Sequence, residues 1–154
     1  MKRGFSITLI VAVSVIAASL LFLRLQSTSA SARVFADQEG AIRGYDPVSY
    51  FTEGRAVKGE GQYSFEWNGA RWLFASASNR DAFASAPDRY APQFGGYCAY
   101  AVAHDRTAAS DPQAFAIVDG RLYLNYSKEV QGKWTANRSS FIRDAEKNWP
   151  AVLR

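Results

Sequence analysis

Two dipeptides, Asn68-Gly69 and Asp119-Gly120, limit the folds open to this chain more than any other feature. Each sits between runs rich in apolar and aromatic residues, YSFEW-NG-ARWLF and AFAIV-DG-RLYLN. A type I′ two-residue loop needs positive φ at both central positions, which Asn-Gly and Asp-Gly supply at least cost. Such a loop also fixes register. The first hairpin should set Trp67 against Ala70, Glu66 against Arg71, Phe65 against Trp72 and Tyr63 against Phe74. The second should set Ile117 against Leu122 and Phe115 against Leu124. Aromatic pairs then share one face of the first hairpin, and the opposite charges of Glu66 and Arg71 meet on the other.

The segments around the hairpins read as turns and short helices. Gly44-Tyr45-Asp46-Pro47 is a turn signal in which Asp46 serves as a cap rather than a catalytic acid, and Val48 and Tyr50 then alternate as a short extended piece. Ser78 with Asp81 matches a capping box, opening a helix with Phe83, Ala86 and Tyr90 on one face and Pro87 at its end. Gly95-Gly96 permits a tight turn or a close backbone approach. Ser127 caps a helix from Lys128, with Val130 and Trp134 one turn apart. A last amphipathic helix runs from about Ser139 to Asn148. It turns Phe141, Ile142, Ala145 and Trp149 inward and sets the pairs Arg143–Glu146 and Asp144–Lys147 outside, and Pro150 stops it. The order of hairpin, helix, hairpin and helices predicts a small single α+β domain: two antiparallel β-hairpins packed against short helices and a C-terminal amphipathic helix.

The first 32 residues read as a targeting segment. Lys2 and Arg3 precede a 19-residue apolar run, Phe5 to Leu23, and Ala30-Ser31-Ala32 fits a signal-peptidase site with cleavage after Ala32. The run approaches the roughly 20 residues that span a bilayer, so an uncleaved N-terminal anchor is the alternative. Both predict an exported protein, periplasmic or held on the inner membrane facing the periplasm. Residues 33–41 read as a linker and 42–150 as the domain. Of the 18 Lys and Arg, Lys2, Arg3 and Arg24 precede residue 33, as do none of the 14 acids, leaving 15 bases against 14 acids. A domain so nearly neutral lacks the footprint of a nucleic-acid binder.

The chain owns one cysteine and one histidine, Cys98 and His104, within APQFGGYCAYAVAHD. Thiolate and imidazole suit copper, zinc or iron, so the two together form the candidate metal site, with Asp105, a tyrosine, water or a second subunit completing it. Without methionine after Met1, a methionine-rich copper site is excluded. The competing reading makes Cys98 an inert core thiol and His104 a solvent-exposed loop residue. A haem or other flat ligand could use the aromatic side chains, although the Cys-x-x-Cys-His attachment motif is absent. There is no recognisable nucleophile–base spacing, phosphate-cradling glycine loop or paired-carboxylate signature, and catalysis is not expected.

From Ile42 to Pro150 the sequence resembles exported bacterial proteins built on a YHS domain. The resemblance rests on GYDPVSYF at 44–51, the aromatic hairpin, FASASNRDAFASAPDRYAPQFGGYCAYAV at 74–102, DGRLYLNYSK at 119–128 and NWP at 148–150. It implies an association with metal handling. Relatives usually carry a cysteine directly after Asp-Pro-Val and a Phe-Cys-Ser…Cys pair after the second strand. Here Ser49 stands at the first place and Phe74-Ala75-Ser76 at the second, so that ligand set does not carry over. The expectation is a non-enzymatic exported module that binds a transition metal as accessory or sensor, with a metal ion or an envelope protein as partner. The alternatives are an interaction domain with a buried cysteine and a flat-ligand binder.

Overall fold

Both hairpins form where the dipeptides put them. A computed structural model describes residues 32–154. Residues 1–31 lie outside it, and with them the basic start, the apolar run and most of the cleavage pattern. Asn68 and Gly69 take φ of 50° and 74°, and Asp119 and Gly120 take 50° and 73°, the left-handed pair that a type I′ turn requires.

The elements run β1 (Ala36–Asp37), β2 (Gly40–Ala41), α1 (Ser49–Thr52), β3 (Glu60–Trp67), β4 (Ala70–Phe74), α2 (Ala77–Ser85), α3 (Pro87–Tyr90), α4 (Ala99–Ala103), β5 (Asp111–Val118), β6 (Arg121–Asn125), α5 (Lys128–Ala136) and α6 (Arg138–Asn148). Short 3-10 turns occupy Ile42–Gly44, Gln93–Gly96 and Ala151–Leu153. The strands pair only as β1–β2, β3–β4 and β5–β6, three separate antiparallel sheets with helices between them. This is the α+β architecture the sequence predicts. Among the described residues, no helix is long and apolar enough to cross a membrane.

Register holds near each turn and slips further away. Trp67–Ala70, Glu66–Arg71 and Phe65–Trp72 pair as expected, as do Ile117–Leu122 and Phe115–Leu124. Tyr63 does not meet Phe74, because an irregularity between Glu60 and Ser64 gives Ser64 to Leu73 and Glu60 to Phe74. A bulge of this kind bends the strand away from the ideal ladder. Gly59, just before β3, marks the crowding: a Cβ there would lie 2.5 Å from the Leu73 carbonyl carbon.

Three other expectations change. The piece at 48–50 is helical rather than extended, because Asp46 Oδ1 accepts from Val48 N at 2.8 Å and Ser49 N at 3.3 Å and turns the chain into α1. The cap of α2 is Ser76, whose Oγ accepts from Asn79 N at 3.1 Å; the Ser78 box starts two residues too late, inside the helix. Residues 33–41 are folded rather than a linker. Val34 is buried, Phe35 N donates to Gly95 O, and β1–β2 closes a miniature hairpin ending in Ala41. Likewise Val152 and Leu153 are buried, so the domain continues past Pro150. Ser127 caps α5 as expected, accepting from Val130 N, and α6 starts one residue before the expected Ser139.

Two apolar clusters hold the elements. The first gathers Ile42, Tyr50, Trp72, Phe74, Leu122 and Leu124 around Phe83, whose ring centroid lies 5.1 Å from Trp72 and 5.2 Å from Phe74. The second gathers Phe94, Tyr123, Trp134, Ala145, Val152 and Leu153. The turn at 94–96 lies between them and runs left-handed, with φ of 55°, 60° and 83°. A Cβ on Gly95 would stand 1.9 Å from Arg33 O, so only glycine lets the N-terminal strand pass there.

Candidate functional site

Cys98 and His104 stand at opposite ends of α4. Cys98 precedes its first residue and His104 follows its last. The five residues of α4 stand between them. Cys98 is 1 % exposed, with its backbone N–H given to Ala108 O at 3.0 Å and a parallel bridge to Leu124. It sits at the seam of the two clusters, beside Leu124 of the first and Tyr97 and Ala99 of the second.

His104 faces solvent. Its Nδ1 lies 2.7 Å from Tyr100 O, and since a carbonyl only accepts, the tautomer making this bond carries its proton on Nδ1. The ring stacks 4.4 Å from Tyr100 and 5.7 Å from Phe141. Asp105, a candidate third ligand, is engaged by Arg154 at 2.8 Å. Among the described residues no group of three or more His, Cys, Asp and Glu side chains is placed to hold a metal ion. The donors present do not fit a metal held jointly by Cys98 and His104. The short helix between them keeps the thiol inside and the imidazole outside.

Asp46 is buried, and its carboxylate is fully engaged. Besides the two N–H groups of α1, its Oδ2 accepts from Ala75 N at 2.8 Å and Asn79 Nδ2 at 2.7 Å. Four donors on one carboxylate make it a structural tie between the GYDP turn, the end of β4 and α2. Burial pushes the pKa of Tyr50 well above the usual phenol range, and Tyr97 and Tyr123 shift the same way for the same reason.

The concavity best furnished for a ligand lies elsewhere. A groove of about 420 Å³ opens between the tip of the first hairpin, the segment from Ala91 to Gly95 and the end of α6. Trp67, Trp72 and Trp149 line it; Trp67 and Trp149 are partly exposed, whereas Trp72 is fully buried. Trp67 lies 5.9 Å from Trp72, and Trp149 lies 6.1 Å from Phe94 on the opposite side. Asn68, Asp88 and Gln93 supply polar groups at its rim, and Arg121 faces Glu146 across 3.6 Å. A second concavity near Tyr45 and Tyr126 is less free, since Lys58 already binds Glu39 Oε2 and Arg43 O, each at 2.7 Å.

The sequence assigns these tryptophans first to the core, with a surface for a flat ligand as the alternative. Three segments far apart in the chain build the groove, and no local spacing announces such an assembly. The one available signal is that Trp67 directly precedes the Asn-Gly turn, where a side chain stands at the end of its sheet.

Comparison with curated proteins and with solved structures finds no match. The family model of the YHS domain matches residues 48–94. The matched stretch spans α1 to Phe94 and so includes Trp67, Asn68, Trp72, Asp88 and Gln93 of the groove, while Cys98 and His104 lie beyond its end. Through the first hairpin and the helices packed on it, 47 of the 154 residues, the chain is similar to a YHS domain.

Proposed function

We propose that the chain is an exported, non-enzymatic binding module whose contact face is the tryptophan-lined groove and whose cysteine is part of the core. The observation that carries this reading is the separation of Cys98 from His104. A thiol sealed in the seam and an imidazole turned to solvent at the other end of α4 favour separate roles for the two side chains. The groove offers aromatic surface and unspent polar groups within the part of the chain that the family model matches. Export rests on the basic start, the apolar run and the Ala-x-Ala pattern of the first 32 residues.

The competing reading, a metal accessory or sensor holding copper, zinc or iron on Cys98 and His104, draws its support from the family's association with metals. It requires the Cys98 thiol to become accessible from the seam where it is buried. Thiol reactivity separates the two readings. Native protein should resist a maleimide until denaturant is added, and wild type and Cys98→Ser should carry equal metal after envelope purification. Fast native labelling that added zinc or copper blocks would reject the binding-module reading in favour of the metal one.

A further inference from the structure

We infer that the groove binds a neutral glycan, stacking sugar rings on Trp67 and Trp149 and taking their hydroxyls on Asn68, Asp88 and Gln93. This deepens the reading above and rests on the groove being the contact face. Trp72 and Trp134 show how the fold treats a tryptophan used for packing, each at 0 % exposure. Trp67 and Trp149 are only partly covered, leaving indole surface at the groove. Apolar area left in water at a concave place favours whatever ligand covers it.

The rest of the lining states what that ligand is. Arg33 and Arg121 are balanced by Asp88 and Glu146, so the groove selects for neither an anion nor a cation. Its polar groups are planar carboxylates, amides and guanidinia, which bind vicinal hydroxyls in pairs. A pyranose ring matches both halves: its axial C–H face lies flat on an indole while its equatorial hydroxyls reach sideways to the rim. A polyproline segment would also stack on indole, but it has no N–H or O–H to give to Asp88. Asp88 is exposed and forms no ion pair among the described residues, so it is free to accept. The volume of about 420 Å³ falls in the ordinary range for small-ligand sites.

The test titrates the full chain with tri-N-acetylchitotriose, with cellotriose and with a decaproline peptide, following the indole Nε1–H resonances. At least one trisaccharide should shift the Trp67 and Trp149 indoles saturably and leave Trp134 unmoved. Asp88→Ala, at an exposed position that should not disturb folding, should weaken binding about tenfold, the size of one charge-assisted hydrogen bond. Trp67→Ala, checked for a cooperative unfolding transition, should abolish it. No shift with either sugar, equal affinity in both variants, or a response to decaproline alone would each overturn the glycan assignment. That failure differs from failure of the module reading, which the thiol experiment decides without any sugar.

Discussion

Replacing Asp46 would strand two buried donors and loosen two part-buried ones. Val48 N, Ser49 N, Ala75 N and Asn79 Nδ2 all converge on its carboxylate, and the residue is 0 % exposed. Each buried donor left without a partner costs about 1–3 kcal/mol. Some will rearrange, so Asp46→Ala should lower stability by about 3 kcal/mol in a urea titration. A loss below about 0.5 kcal/mol, the level of an ordinary surface change, would refute the role of structural tie. Tyr50 makes the corresponding case for pH. Its hydroxyl donates to Pro112 O at 3.0 Å in the interior, and burial raises its pKa. The unfolded chain releases this proton near pH 10 while the folded chain keeps it, so the stabilisation is complete below about pH 10 and falls as pH rises further. Tyr50→Phe should lose about 1 kcal/mol at pH 8 through the missing hydrogen bond, yet show a shallower decline between pH 9 and 11. Parallel declines in the two proteins would show that Tyr50 is not the titrating group.

At the scale of elements, the sequence was most legible where a rule is local. Asn68-Gly69 and Asp119-Gly120 specify φ and register within two residues, and both turns formed with the expected nearest pairs. Legibility faded with distance from the turn, because the irregularity between Glu60 and Ser64 answers to the crowding of Gly59 against Leu73, a contact no strand pattern encodes. The cap of α2 was misplaced for a different reason: Ser76 and Ser78 are both credible caps in FASASNRD, and tertiary packing selects between them. Ser76→Ala should therefore cost about 1 kcal/mol, while exposed Ser78→Ala should change stability little. Thermal unfolding of the two variants side by side checks the assignment, and equal shifts would return the cap to an open question.

At the scale of the molecule, the α+β class followed from element order, but neither the groove nor the fate of Cys98 did. Trp67, Asp88 and Trp149 meet only once the two clusters have formed. Cys98 and His104, close in sequence, are parted by one short helix; proximity along a chain is a poor guide to proximity in space when the period of that helix sets the facing. The folding of residues 33–41 escaped notice because Val34 and Phe35 are too few to show a period, and their hold depends on the distant Gly95. Gly95→Ala tests that hold. Its new methyl group would collide with Arg33 O, so the variant should melt well below wild type and be cleaved by protease within 33–41. Resistance equal to wild type would mean the strand is held by other contacts.

The burial of Cys98 also sets how the molecule ages. A chain with a single thiol has no partner for an internal bridge, and a sulfur kept from solvent cannot cross-link to a neighbour or meet peroxide. In an oxidant-rich setting, the pace of its chemical damage is then the rate at which the seam between the two clusters breathes, and its service life is written in its packing rather than in the reactivity of its sulfur.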